Sequence, residues 1–252
     1  MTSLLAGETY GEVACGPVAG VTLSRHSPDH ALPMHEHASA YVCAVLAGGF
    51  REQDPRGEAQ RSAGQVIVHP AGQRHADAFG PRGALCLNLH IESAPDSLAR
   101  AAGPDMARAI EELAAEVAKG GQGDRLAGAS LKAEVLDLLT RPRVADDPTG
   151  IGRVLQALDD APAADWSLGS LAAVAQRHPN HLARTFRARM GMSLGAYRRR
   201  RRLIGLCLDL RLGTEPLSGL ALDHGYADQA HMSREFRAFS GLSPSAYRRA
   251  AR

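Results

Sequence analysis

The stretch HLARTFRARMGMSLGAYRR, residues 181–199, returns fifty positions later as HMSREFRAFSGLSPSAYRR, residues 231–249, with 11 of 19 positions identical. An internal repeat of this kind means a supersecondary unit used twice. Each copy follows a similar preamble. LGSLAAVAQRHPN precedes the first and PLSGLALDHGYADQ precedes the second. Both predict a helix, a tight turn and a second helix. Pro179 and Asn180 open the second helix of the first unit, and Asp228 caps that of the second. Gly191 and Gly241 end these helices.

The second helix of each unit sorts into faces at helical spacing. Leu182 and Phe186 in the first, and Met232, Phe236 and Phe239 in the second, are expected to face inward. The outward set is Asn180, His181, Ala183, Arg184 and Arg187 in the first unit. In the second it is Gln229, Ala230, Ser233, Arg234 and Arg237. Asn, Gln and Arg make paired hydrogen bonds to base edges in the major groove. Charge points the same way. From residue 151 onward there are 16 Arg, no Lys and 8 Asp or Glu, an excess of eight positive charges, whereas residues 1–150 carry six more acids than bases. Such a split predicts a C-terminal part that meets a polyanion.

Between the units, LGAYRRRRRLIGLCLDLRL, residues 194–212, reads as one helix of 19 residues. Its length, about 28 Å at 1.5 Å per residue, is close to the roughly 34 Å of one DNA turn. It would set the two reading helices in successive major grooves. The arginines at 198–202 spread round the helix. Some are expected to reach phosphates, others to pair with acids such as Asp209 or to stay in water.

The first half has another texture. GVTLSRH, AYVCAVLAGGF, GQVIVHPAG and GALCLNLHIE are short β-like runs between turn formers, predicting a sandwich or barrel. After residue 94 two amphipathic helices follow, one with Met106, Ile110, Leu113 and Val117, the other with Leu126, Leu131, Val135, Leu138 and Leu139 facing inward. RPRVADDPTG, residues 141–150, reads as a linker. The four cysteines, Cys15, Cys43, Cys86 and Cys207, form no CxxC pair and read as buried thiols of a reducing compartment. With no signal-peptide pattern and no apolar run near 20 residues, the chain is expected to be cytoplasmic and off the membrane.

His35 and His37 stand on alternate positions of an expected strand and share a side. His75 ends the pattern Gly64-x5-Pro70-x-Gly72-x2-His75. Three neutral imidazoles can hold zinc or ferrous iron; equally, they can line a pocket for an organic effector. His69 and His90 read as ordinary strand residues, and Cys43 as a structural thiol.

Two resemblances follow from these motifs. SLAAVAQRHPNHLARTFRARMGMSLGAYRRRRRL and LALDHGYADQAHMSREFRAFSGLSPSAYRR resemble the AraC/XylS-type DNA-binding domain over about 100 residues. The most specific part is Gly-x-Ser-Pro-x-x-Tyr-Arg, from Gly241 to Arg248. That resemblance implies base contacts from Asn180, Ala183 and Arg184, and from Gln229, Ala230, Ser233 and Arg234. The linker helix departs from the family. Ile204, Gly205, Leu206 and Cys207 make it more apolar, so another surface should pack on it. His35-x-His37 with Gly48, and the motif from Gly64 to His75, resemble the two cupin signatures. The carboxylate expected after the second histidine, with three or four residues between, is replaced by Tyr41 or Val42.

The expected fold is α+β with two domains: an N-terminal cupin-like, jelly-roll β-barrel over residues 1–93, helices carrying dimerisation over 94–140, a linker over 141–150, and an all-α domain with two helix-turn-helix units over 151–252. The expected function is that of a bacterial transcription regulator. Double-stranded DNA, a small-molecule effector, a second copy of the chain and RNA polymerase would be its partners. His35, His37, Tyr41 and His75 would bind the effector. His35, His37 and His75 would bind a divalent metal, zinc or iron, if one is used. The alternatives are a metal-dependent cupin oxygenase or isomerase with a DNA-binding tail, and a redox regulator switched at Cys43 or Cys86.

Overall fold

A computed structural model describes residues 11–13, 18–92, 94, 98–101, 103–140, 149–161 and 166–250. Cys15 and most of the expected linker lie outside the described residues. Eight strands pair in one antiparallel sheet: β1 (Gly11–Val13), β2 (Val21–His26), β3 (Ala31–Glu36), β4 (Tyr41–Asp54), β5 (Gly57–Ser62), β6 (Gln65–His69), β7 (Arg74–His90) and β8 (Leu98–Ala101). The order is β1-β2-β7-β4-β6-β8, with β3 added to β7 and β5 to β4. β8 lies within the stretch expected to be purely helical, so the sheet runs on past residue 93.

Side-chain alternation divides the sheet. Val42, Ala44 and Leu46 of β4, with Leu85, Leu87 and Leu89 of β7, pack toward the helices. Cys43, Val45, Ala84 and Cys86 point the other way, into a small core with Leu32, Phe50 and Phe79. Both faces are covered, so β4 and β7 read as apolar runs. The β4–β7 register slips between Val45 and Ala47 and again between Gly48 and Phe50. Gly48 has φ +67°, and a Cβ there would stand 2.1 Å from the Gly83 carbonyl oxygen. Only glycine fits, on both counts. β5, GEAQRS, is polar. It forms because Asp54 accepts from the Arg56 N–H at 2.8 Å and turns the chain back on β4.

The helices are α1 (Pro104–Ala118), α2 (Arg125–Thr140), α3 (Ile151–Asp160), α4 (Leu168–Ala175), α5 (Pro179–Met190), α6 (Leu194–Leu212), α7 (Leu217–Asp223), α8 (Gln229–Ser240) and α9 (Pro244–Ala250). The four apolar residues expected to face inward on α1 are all buried. On α2 the expectation holds except at its start. Val135 is buried, Leu131, Leu138 and Leu139 are half-buried against the same core, and Leu126 stands 82% exposed. Periodicity located the apolar stripe, but nothing among the described residues covers its first turn.

The repeat in letters is a repeat in space. Gly191 and Gly241 take left-handed conformations at φ +69° and +77°, ending α5 and α8. Ser193 and Ser243 each accept from the N–H three residues on, at 3.2 Å. Phe186 meets Tyr197 edge-on at 5.6 Å between ring centres, and Phe236 meets Tyr247 at 5.2 Å. Leu182, Phe186 and Met190 are buried, as are Met232, Phe236 and Ser240. Phe239, expected inside, is half-buried; the Lys119 ammonium lies 5.8 Å from its ring centre.

The two units do not share one core. The first packs with α3 around Ile151, Val154, Leu171, Leu182, Phe186 and Tyr197. The second joins the cluster that also contains the sheet, α1 and the buried side of α6 from Leu203 to Leu210. α1 lies along α6 and touches both units. Arg189 of α5 is 3.5 Å from Asp105. Arg201 of α6 pairs with Glu111, and the Tyr247 hydroxyl donates to the Ala118 carbonyl. β2 adds Arg25, which pairs with Asp209 at 2.9 Å; Asp209 also meets His224 at 2.6 Å. The apolar stretch of α6 is thus covered by α1 and the sheet, as its composition required.

Candidate nucleic-acid interface and histidine cavity

α5 and α8 each bury one face and present the other. Asn180, His181, Arg184 and Arg187 are exposed on α5, with Ala183 half-buried beside them. Gln229, Ala230, Arg234 and Arg237 are exposed on α8, with Ser233 half-buried. α5 contains no acidic residue, and the one acid of α8, Glu235, faces His231 at 3.7 Å. Arg184, Arg187, Arg234 and Arg237 make no ion pair among the described residues. Four uncompensated guanidinium groups on two matched helix faces form a surface suited to a polyanion with readable edges.

The arginines at 198–202 divide between an acid, other partners and solvent, though Asp209 is not the acid used. Arg198 donates to the Trp166 carbonyl at 3.1 Å, Arg201 pairs with Glu111, and Arg202 lies over the Tyr226 ring at 5.1 Å. None pairs with Asp209, whose partners are Arg25 and His224. Arg199 is exposed and Arg200 half-buried. A run of five identical charges hides this division, because consecutive residues step 100° round the helix.

Inside the sheet, β3, β4, β6 and β7 converge histidines. His35 lies 4.3 Å from His75 and 5.1 Å from His37, ring centre to ring centre, and one nitrogen from each of the three falls within 4.8 Å of the others. The His35 Nδ1 donates to the Pro33 carbonyl at 2.8 Å, and the His75 Nδ1 to the Gln73 carbonyl at 3.4 Å. Carbonyls only accept, so Nδ1 carries a proton in both rings, and the lone pair of the neutral form lies on Nε2. Tyr41 donates to the His75 Nε2 at 3.3 Å. Burial, then the neighbouring His35 and His37, pushes His75 down to about 4, so it is neutral at physiological pH. Neutral imidazoles held by carbonyls are a donor set that fits zinc or ferrous iron. Among the described residues no other group of three or more His, Cys, Asp or Glu gathers in this way.

His69 and His90, read from sequence as plain strand residues, line the same cavity. His69 stacks on Tyr41 at 4.5 Å, its cross-strand neighbour's ring, and burial pushes it down as well. Glu52 and Asp77 were also missed. They are register partners on β4 and β7. Glu52 is 1% exposed and accepts from Arg61 at 2.7 Å. Burial, then Glu52, pushes Asp77 up to about 8 against the pull of Arg61. Glu52 Oε1, His69 Nδ1 and Asp77 Oδ1 are buried without a hydrogen-bond partner. The cavity that His69 and Asp77 border holds about 50 Å³. Cys43 and Cys86 lie in its wall. The Cys43 thiol's hydrogen bond to Cys86, then burial, raises it, which keeps it from the reactive thiolate form.

Residues 171–250 match the family model of a helix-turn-helix domain. They form an AraC-type helix-turn-helix domain. Among curated proteins none matches the chain. Among solved structures the chain is similar to ToxT from Vibrio cholerae, at 11% identity over 90% of this chain and 97% of that one, with a TM-score of 0.39. It is similar also to the C-terminal domain of AraT, a response regulator from Geobacillus stearothermophilus, at 24% identity over 41% of this chain and 86% of that one, with a TM-score of 0.37. A third is the DNA-binding domain of AdpA in complex with a target DNA, at 23% identity over 42% and 93% of the two chains, with a TM-score of 0.37. The matched helix-turn-helix domain begins in α4 and ends with α9, so it contains both exposed arginine faces.

Proposed function

We propose that this chain is a sequence-specific transcription regulator in which α5 and α8 read DNA and the sheet's histidine cavity holds the signal. The observation that carries the first half is the pair of matched helix faces with four uncompensated arginines. Asn180, Ala183, Arg184, Gln229, Ala230, Ser233 and Arg234 meet base edges. His181, Arg187 and Arg237 lie on the same faces and meet the backbone. Duplexes selected from a random pool by the full chain test this. Arg184→Ala and Arg234→Ala should each cost about 1–3 kcal/mol at one base position, read by fluorescence anisotropy. Equal binding of selected and scrambled duplexes by wild type and both variants would refute it.

For the signal, size supports one of the two forms the sequence allows. Pockets for organic ligands run to roughly 300–1,000 Å³, whereas a water needs only about 30 Å³. A cavity of about 50 Å³ suits a metal ion with one or two waters, and an organic effector would have to open it several-fold. His35, His37 and His75 would hold the metal, with Tyr41 and Asp77 facing its remaining side. Bound there, zinc or iron would act as a Lewis acid and structural tie. Calorimetry with zinc should give one site, lost in His75→Ala. Stoichiometric iron with turnover would favour the cupin-enzyme alternative instead. The same reading includes a homodimer through α1 and α2, supported by the uncovered Leu126, contact with RNA polymerase, and a bacterial cytoplasm. No described helix is long and apolar enough to cross a membrane.

A further inference from the structure

The geometry points to Arg25 of β2 as the positioning residue that couples the histidine cavity to α8, by holding Asp209 of α6 against His224 in the turn between α7 and α8. The inference deepens the proposed function and rests on its two readings, of the cavity as the signal site and of α8 as a reader of DNA.

β2 stands between the two. Ser24 and His26 line the histidine cavity. Asn88 of β7, in the same wall, donates from Nδ2 to the Ser24 hydroxyl at 3.0 Å. Successive side chains of a strand alternate, so Arg25 points the other way, toward the helices, on the side where Val21 and Leu23 join the shared core. Its guanidinium spans one turn of α6. Nη1 is 2.9 Å from the Asp209 Oδ1, and Nη2 donates to the Gly205 carbonyl at 3.4 Å. The second Asp209 oxygen meets the His224 Nε2 at 2.6 Å. His224 is the C-cap of α7, Gly225 turns the chain at φ +68°, and Asp228 caps α8. Gly205 presents bare backbone to this joint. A Cβ there would already touch the His224 ring at 3.4 Å and the Arg25 Nη2 at 3.5 Å, so a longer side chain would push them apart. The glycine in the apolar stretch of α6 thus lies where the sheet and the second helix-turn-helix unit both reach the helix.

The joint is directional and incompletely satisfied. Arg25 Nε is buried without a hydrogen-bond partner. An unmade buried donor disfavours the arrangement seen, so a shift of β2 that frees this nitrogen offsets part of the loss at Asp209. A cavity occupant that displaces Ser24 or His26 selects between the two positions of Arg25, to the extent that it binds one of them better. Val21 and Leu23 do not discriminate in this way, because apolar contact is non-directional.

The test uses the full chain and a duplex selected from a random pool. DNA affinity is read by fluorescence anisotropy with and without saturating zinc, and deuterium exchange is followed over residues 217–232. Zinc should change wild-type DNA affinity by about fivefold or more and alter exchange at the turn. Arg25→Met should keep the zinc site by calorimetry and lose both responses. Asp209→Asn, which keeps the side-chain volume, should do the same. Arg51→Met, at an arginine whose side chain is 62% exposed on β4, should keep both. The inference is overturned if zinc binds wild type without moving DNA affinity, if it moves affinity equally in Arg25→Met, or if Arg51→Met loses the response as well. A wild-type chain without a zinc site sinks the metal reading instead, and the cavity is then disturbed from within by Asn88→Ala. That substitution should change DNA affinity in wild type and not in the Arg25→Met background; an equal effect in both, or none in either, overturns the inference.

Discussion

Replacing Arg201 by methionine tests how α1 holds the helix-turn-helix domain. Glu111 is 1% exposed, and Arg201 is its ion-pair partner across 90 residues of sequence. Removing one member of a buried pair leaves an uncompensated charge, which typically costs about 3–5 kcal/mol. Arg201 keeps 17% of its side-chain exposure, so water can reach the vacated site and the lower end of that range applies. For a chain of this size, about 3 kcal/mol lowers the melting temperature by roughly 6–12 °C. Glu111→Met should cost less, because it leaves the half-wet guanidinium rather than the buried carboxylate. The double variant should recover most of the loss. Glu111 Oε2 has no hydrogen-bond partner even in the intact pair, so the native arrangement is itself incompletely satisfied. Urea unfolding of the four proteins closes the double-mutant cycle, with an expected coupling of about 2–3 kcal/mol. Two single variants that each cost under about 1 kcal/mol and simply add would show that Glu111 is hydrated, and the docking of α1 on α6 would be wrong.

Arg187→Ala and Arg237→Ala should each reduce the slope of log K against log salt by about 0.9 without changing which duplex is preferred; an altered preference would make them base readers. His26 is pushed down to about 4, first by burial and then by His30, from 6.5 in the unfolded chain. The unfolded chain therefore takes up the proton first. The stability tied to neutral His26 is whole above pH 6.5 and is lost as pH falls toward 4, by at most about 3 kcal/mol. His26→Asn should flatten the stability–pH slope in that window by about one proton, and urea midpoints at pH 7 and 5 that fall as far as in wild type would refute it. Gly48→Ala should prevent native folding or cost more than about 3 kcal/mol, read as loss of the cooperative thermal transition.

What the sequence made legible was local. The glycine ends and the inward Leu182, Phe186, Met232 and Phe236 of the two units are set by spacings within 19 residues, and each recurs in the structure. His35, His37 and His75 were legible because a short turn and one strand pairing bring them together. Glu52, His69 and Asp77 were not. Glu52 meets Asp77, and His69 meets Tyr41, only through the registers of β4 with β7 and β6, which no local pattern states. Leu126 and Phe239 mark the same boundary. Periodicity says which side of a helix is apolar, not whether anything arrives to cover it.

The packing also divides the chain where the sequence does not. Composition changes near residue 150, yet the second unit shares its core with the sheet and α1, while the first packs in a separate cluster with α3 and Ala107 of α1. Leu203, Ile204, Leu206, Cys207, Leu208 and Leu210 all lie in the shared core, and Tyr197 in the separate one. The linker helix is therefore clamped over its C-terminal half and tied at its N-terminal half mainly by Arg201 and its neighbour Tyr197. A change in the sheet reaches α8 through close-packed side chains, which transmit displacement because interiors are dense. It reaches α5 through α6, through Ala107 of α1, and through the polar contacts at Glu111 and Asp105. The two matched helices, α5 and α8, are thus unequal in attachment: α8 packs into the core shared with the sheet, and α5 into a separate cluster that α1 enters through Ala107, with the ion pairs of Arg189 and Arg201 beside it.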